Sequence, residues 1–195
     1  SPRKVNLLVD IQAKLAEGKG PGYERWAKVF NLKQMAAALA YLQDNGLTEY
    51  GELEKKAAET TDCFHVLSDR IKQTENAMNT NRELKTATVQ YARTRPVFEK
   101  YKAAKYSRKF LAEHEADIEL YRAAQADLKR LLDGAKLPKM DVLKEEGRRL
   151  AEQKRKLYAE YQRIRRDMQE VNTAKANIDY LLGYAGQDKK KEQER

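Results

Sequence analysis

Cysteine is almost absent from this chain. Cys63 is the only one in 195 residues, so no internal disulfide can form, and the fold has no covalent staple. A single thiol agrees with a reducing compartment, and beside Phe64 it reads as a small packing residue. Histidine is equally scarce. His65 and His114 fall in separate stretches with no cysteine pair beside either, so both read as structural rather than as metal ligands. His114-Glu115-Ala116-Asp117-Ile118 begins like a zinc-protease helix, but Ile118 stands where the second histidine is required. Gly18-Lys19-Gly20-Pro21-Gly22 is no phosphate loop, because no Ser or Thr follows the Gly-Lys pair and Pro21 deletes a backbone donor. No apolar run approaches the ~18 residues of a membrane span, and no signal-peptide core is visible. No acid–base pair, activated nucleophile or metal cluster emerges. The chain is therefore read as non-enzymatic, with no cofactor and no metal.

What the sequence has in abundance is charge. Charged residues make up 35%, with 39 Lys and Arg against 30 Asp and Glu, a net charge of +9. The mean hydropathy is −0.88. Alanine, leucine, lysine, arginine and glutamate supply about half of the chain, a bias of long helices and coiled coils. The composition predicts an all-α, elongated molecule with a thin apolar seam for a core.

Apolar residues at Val5, Leu8, Ile11 and Leu15 mark a short amphipathic helix ending at Gly18. Residues 18–30 form the most distinctive junction, a helix break followed by an aromatic-rich start that carries the only tryptophan, Trp26. A second helix is predicted from Tyr23 to Asn45, with Gly46 in the left-handed closing position. Thr48 is predicted to cap a very long helix. Its seam is Leu53, Ala57, Phe64, Leu67, Ile71, Met78, Leu84, Thr88 and Tyr91, weakened over the polar Asn76–Asn81 stretch. Pro96 is predicted to break this helix near Arg95, leaving short turns over 97–104. Ser107 is predicted to cap another helix whose inner side runs from Phe110 through His114 to Leu132, ending at Gly134 and Pro138.

The last helix is the clearest. Leu143, Gly147, Leu150, Lys154, Leu157, Tyr161, Ile164, Met168, Val171, Lys175, Ile178 and Leu182 alternate by fours and threes, a sustained heptad. A helix of that span is roughly 65 Å long. Its simplest partner is the helix starting at Thr48, giving two long helices in an antiparallel coiled-coil hairpin with shorter helices at both ends. Self-pairing as a homodimer is the competing solution. The expected organisation is therefore short helices over 1–46, the hairpin over 47–185 with a helical insertion at about 96–136, and a disordered polar tail over 186–195.

The charge is uneven. Residues 82–109 carry a net +7 and residues 144–166 a net +5. An antiparallel hairpin is expected to bring these two segments together at one end. The candidate nucleic-acid-binding residues there are Arg93, Arg95, Lys100, Lys102, Lys105, Arg108 and Lys109, with Arg148, Arg149 and Arg155 opposite. Lys154 and Lys156 add to the same end. Basic side chains neutralise phosphates, and the interleaved Phe98, Tyr101, Tyr106 and Phe110 offer rings on which unpaired bases could stack. The plainer reading is solvated coiled-coil flanks and core tyrosines.

Gly20-Pro21-Gly22-Tyr23-Glu24-Arg25-Trp26-Ala27-Lys28-Val29-Phe30-Asn31-Leu32-Lys33-Gln34-Met35 resembles a segment downstream of the nuclease domain in relaxases. These are mobilisation proteins of conjugative and integrative elements of Firmicutes. Leu47-Thr48-Glu49-Tyr50 and Lys105-Tyr106-Ser107-Arg108-Lys109-Phe110-Leu111-Ala112-Glu113-His114-Glu115 resemble the same region. The resemblance spans roughly Val5 to Leu182 and implies a C-terminal helical region detached from the DNA-nicking nuclease. The nuclease's tyrosine nucleophile and metal-binding histidines therefore carry over to no residue here. The start at Ser1-Pro2, without methionine, agrees with a piece of a longer protein. The implied role is to assist transfer-origin DNA binding or relaxosome assembly in the bacterial cytoplasm, during plasmid or transposon transfer. The alternative is a coiled-coil protein-interaction module that docks onto a coupling protein through Tyr23, Trp26 and Phe30 and touches no nucleic acid.

Overall fold

The structure, a computed structural model, describes residues 6–21, 23–24 and 32–183. The described chain is helical and carries no strand. Its helices are α1 (Leu7–Glu17), α2 (Leu32–Asp44), α3 (Tyr50–Ala103), α4 (Arg108–Glu113), α5 (Glu115–Leu132) and α6 (Met140–Leu182). No described helix is long and apolar enough to cross a membrane. Trp26, Phe30 and the expected polar tail lie outside the described residues. The chain divides into two compact units, one formed by residues 1–68 and 159–195, the other by residues 69–158.

In the first unit, Asn6 caps α1 by accepting from Leu8 N at 3.0 Å, and Gly18 closes it at φ 59°. The Leu7 N–H donates to Thr48 O at 2.6 Å, tying α1 to the entry of α3. One core joins Leu7 and Ile11 of α1, Met35, Ala38 and Leu42 of α2, Leu53 and Ala57 of α3, and Val171, Ala174, Ile178 and Leu181 of α6. Tyr50 Oη donates to Asp179 Oδ1 at 2.6 Å, and Lys175 pairs with the same carboxylate at 2.8 Å. Phe64 lies 5.0 Å from Tyr161, ring to ring. Cys63 is exposed rather than packed, one step off the buried face that Phe64 occupies.

The entry to α3 is capped differently from the expectation. Among the described residues the Thr48 hydroxyl accepts from no backbone amide and instead donates to Glu52 Oε2 at 3.5 Å. The Glu52 carboxylate reaches back to the Thr48 N–H at 2.9 Å and the Glu49 N–H at 3.4 Å. An acidic side chain in a first turn both accepts orphan donors and complements the helix dipole.

The second unit contains the rest of α3, with α4, α5 and the start of α6. Leu84, Ala87, Leu128 and Leu143 form its core. Contacts between α3 and α5 descend in opposite chain order: Phe98 and Tyr91 stack on Tyr121 at 4.1 and 5.1 Å, and Glu83 pairs with Arg130 at 3.1 Å. Below them α6 takes over. Asn81 Nδ2 donates to Leu143 O at 2.9 Å, and Glu75 forms an ion pair with Lys154 at 3.6 Å. The polar stretch expected to weaken the seam thus contains a buried, specific contact. Thr74 and Thr94, also buried, return their hydroxyls to Arg70 O and Gln90 O.

Pro96 does not end α3, which runs on to Ala103. A proline inside a helix costs ~3 kcal/mol through a lost hydrogen bond and a steric clash. Continuing the helix places Phe98 and Tyr101 against Tyr121 and Phe110. Burying such rings contributes about 1.5–3 kcal/mol each, which outweighs the cost. The single helix expected from Ser107 to Leu132 is interrupted at His114, whose φ of −128° lies outside the helical region. Its ring tilts against Phe110 at 4.3 Å. Ser107 does cap α4, accepting from Phe110 N at 3.4 Å.

Two helix ends share one device with different residues. After α2, Leu47 N donates to Leu42 O and Gly46 N to Gln43 O; after α3, Tyr106 N donates to Tyr101 O and Lys105 N to Lys102 O. Both are Schellman closures. Gly46 sits at φ 62° in the first and Lys105 at φ 53° in the second, followed by Tyr106 at φ 58°. Left-handed backbone costs an L-residue about 1 kcal/mol. A Cβ at Gly46 meets nothing within 4 Å. Lys105→Gly should therefore raise unfolding stability by ~1 kcal/mol and Gly46→Ala lower it by about as much, read by urea denaturation.

Candidate functional site

All ten basic residues singled out in the sequence for nucleic-acid binding lie in the second unit, but the fold separates them into two groups. Arg93, Arg95, Lys100 and Lys102 project from the last turns of α3. Lys105, Arg108 and Lys109 continue through the tight turn into α4. Arg148, Arg149 and Arg155 sit on α6 instead, at the level of Glu75 to Asn81. At 1.5 Å per residue that is ~20–30 Å along α3 from Arg95. The two basic segments meet only in part: Arg82 and Lys85 of the first face Lys144 and Arg148 of the second, while Arg93 to Lys109 lie further along, where α5 rather than α6 packs against α3.

The α3–α4 group is exposed throughout. Among the described residues Arg93, Arg95, Lys100, Lys105, Arg108 and Lys109 make no ion pair, while Lys102 approaches Glu99 at 3.9 Å. On α6 the cations are more engaged. Arg155 forks onto Glu152 at 2.7 and 3.1 Å, and that hydrogen bonding holds the Glu152 carboxyl below its usual range. Arg148 pairs with Glu145 at 2.6 Å. Exposed pairs of this kind contribute little to stability, but they occupy donors that a phosphate would need.

The rings expected to offer base stacking mostly stack on one another. Tyr101 is buried and meets Phe98 at 6.0 Å, Phe110 at 6.0 Å and Tyr106 at 5.1 Å. Tyr106 is the exposed member, at 55%. The rings pack beneath the turn, whose lysines and arginines are exposed. Tyr23, the described member of the expected docking trio, is half-buried against the core of the first unit.

A second basic feature escaped the sequence reading. A groove of about 450 Å³ between α3 and α6 is lined by Arg82, Lys85, Lys144 and Arg148 over Met78, Asn81, Gly147 and Ala151. Arg148 was singled out in the sequence; Arg82, Lys85 and Lys144 were not. Their proximity depends on the register that sets Asn81 opposite Gly147. The available signal was two non-apolar residues, Asn81 and Gly147, at seam positions of the two long helices. Among the described residues no three His, Cys, Asp or Glu side chains gather closely enough to hold a metal.

No protein-family model matches this chain, and no curated protein or solved structure matches it either.

Within the aromatic base, the Tyr121 hydroxyl is pushed up to about 12 by its hydrogen bond to Tyr91 and by burial, with Arg95 pulling the other way. A raised folded value favours the neutral phenol. The contribution to stability is complete below pH ~10, the ordinary tyrosine value, and is lost as pH rises through the folded one. Alkaline urea melts should show stability falling between pH ~10 and ~12, and Tyr121→Phe should flatten that fall.

Proposed function

We propose that this chain is the non-catalytic helical module of a DNA-mobilisation relaxase, working in the bacterial cytoplasm, and that the α3–α4 turn of its second unit binds DNA. The observation that carries this reading is the set of exposed cations Arg93, Arg95, Lys100, Lys105, Arg108 and Lys109, none in an ion pair among the described residues. Here six cations line the last turns of α3 and the turn into α4, beside a cluster of packed rings. The family-like run from Lys105 to Glu115 falls on this same turn, which joins the resemblance to the electrostatics. In this reading α3 and α6 are the two arms of one antiparallel coiled-coil hairpin, and the module assists transfer-origin binding or relaxosome assembly.

The DNA reading has a quantitative test. Six neutralised phosphates give a slope of about −5 for log K against log salt on duplex DNA. Fluorescence anisotropy over a salt series should show that slope. Arg108→Ala with Lys109→Ala should reduce it by about 2. No binding at ~50 mM salt, or unchanged binding after all six positions become alanine, would contradict the reading and favour a protein-interaction coiled coil.

A further inference from the structure

The groove between α3 and α6 is built unlike the α3–α4 turn, and its chemistry points to a different occupant. Four cations line it, Arg82 and Lys85 from α3 with Lys144 and Arg148 from α6, and no carboxylate lines it. Lys85 and Lys144 make no ion pair among the described residues. Its volume of about 450 Å³ lies in the range of small-molecule sites. Between the cations the lining is apolar: Met78, Ala151 and the bare backbone of Gly147.

The floor also holds one polar demand. Asn81 is 5% exposed. Its Nδ2 donates to Leu143 O at 2.9 Å. Because that carbonyl can only accept, the amide orientation is fixed and Oδ1 faces the groove. Among the described residues Oδ1 has no hydrogen-bond partner. Oδ1 and Lys85 Nζ converge above Gly147, lying 2.9 and 3.4 Å from where a Cβ there would sit. Water reaches this acceptor from the groove, and a ligand that brings an N–H can take the water's place there.

The occupant must therefore combine an anion, a flat apolar body and a hydrogen-bond donor. Inorganic phosphate offers only the first. We propose that the groove binds a nucleoside di- or triphosphate. Its phosphates lie between Lys85 and Lys144, with Arg82 at the rim; Arg148 stays paired with Glu145. Its base lies over Gly147 beside the polarisable Met78 thioether and donates an exocyclic N–H to Asn81 Oδ1. This site does not depend on DNA binding by the α3–α4 turn.

Isothermal titration of the whole chain with ATP, adenosine and inorganic triphosphate tests the assignment. ATP should bind, and adenosine and triphosphate should each bind at least about tenfold more weakly, since each lacks one part of the recognition. Lys85→Gln with Lys144→Gln should weaken ATP by about tenfold or more while leaving the helical circular dichroism unchanged. Gly147→Ala, which crowds Asn81 Oδ1, should weaken ATP and adenosine but not triphosphate. Changing all six α3–α4 cations to alanine should leave ATP binding intact, which separates this site from the DNA reading. Three results would overturn the proposal: no heat with millimolar ATP, triphosphate or an aspartate-rich peptide binding as tightly as ATP, or wild-type affinity in the double lysine variant.

Discussion

A helix of 54 residues in water must cover one narrow stripe along its length, and the rest of this chain is arranged by how that stripe of α3 is covered. Isolated helix is marginal even with good propensity, so packing of the apolar face has to supply the stability. In the first unit the stripe meets α1, α2 and the end of α6 around Leu53 and Ala57. In the second it meets α5 and the start of α6 around Leu84 and Ala87. The stripe also contains Asn81, whose single cross-helix bond to Leu143 O is satisfied in one register only. A buried amide in a helical seam is a recognised device for fixing pairing, and here it sets which cations of α3 face which cations of α6.

The far end of α3 shows tertiary packing overruling local preference. Pro96, the left-handed Lys105 and Tyr106, and the break at His114 each carry a local cost. All three border the same cluster of Tyr91, Phe98, Tyr101, Phe110 and Tyr121. Ring contacts of this kind contribute about 0.5–1.5 kcal/mol each beyond their burial, and several together offset the strain. The product is a turn packed on rings, with its basic side chains exposed. Structure and electrostatics are linked there: the rings face one another, so the surface left for a partner is the charged one.

Much of this was legible in the sequence, and the reasons differ by element. Every one of the twelve heptad positions from Leu143 to Leu182 is buried or half-buried, because a regular heptad needs no outside information to be read. Gly18 and Gly46 were legible as helix ends, because few residues tolerate their conformation. Pro96 misled, since its cost is local and visible while the rings that offset it come from later in the chain, as Tyr121 does for Phe98 and Phe110 for Tyr101. The candidate site was half legible. The charge density of 82–109 is written in the sequence. Which segment lies opposite is not, because it follows from α5 filling the space assigned to α6. Arg82, Lys85 and Lys144 lie where α6 does run beside α3, and they were missed because their facing one another follows from the register of Asn81 against Gly147.

The account rests on α3 being covered by helices of its own chain, and the Glu83–Arg130 contact reads this most directly. In a Cys63→Ser background, Glu83→Cys with Arg130→Cys should be joined within one chain by a short bis-maleimide, leaving a product of monomer mass. Covalent dimers as the main product, at a protein concentration low enough to exclude random collision, would show that the stripe is covered by a second copy and would contradict the account.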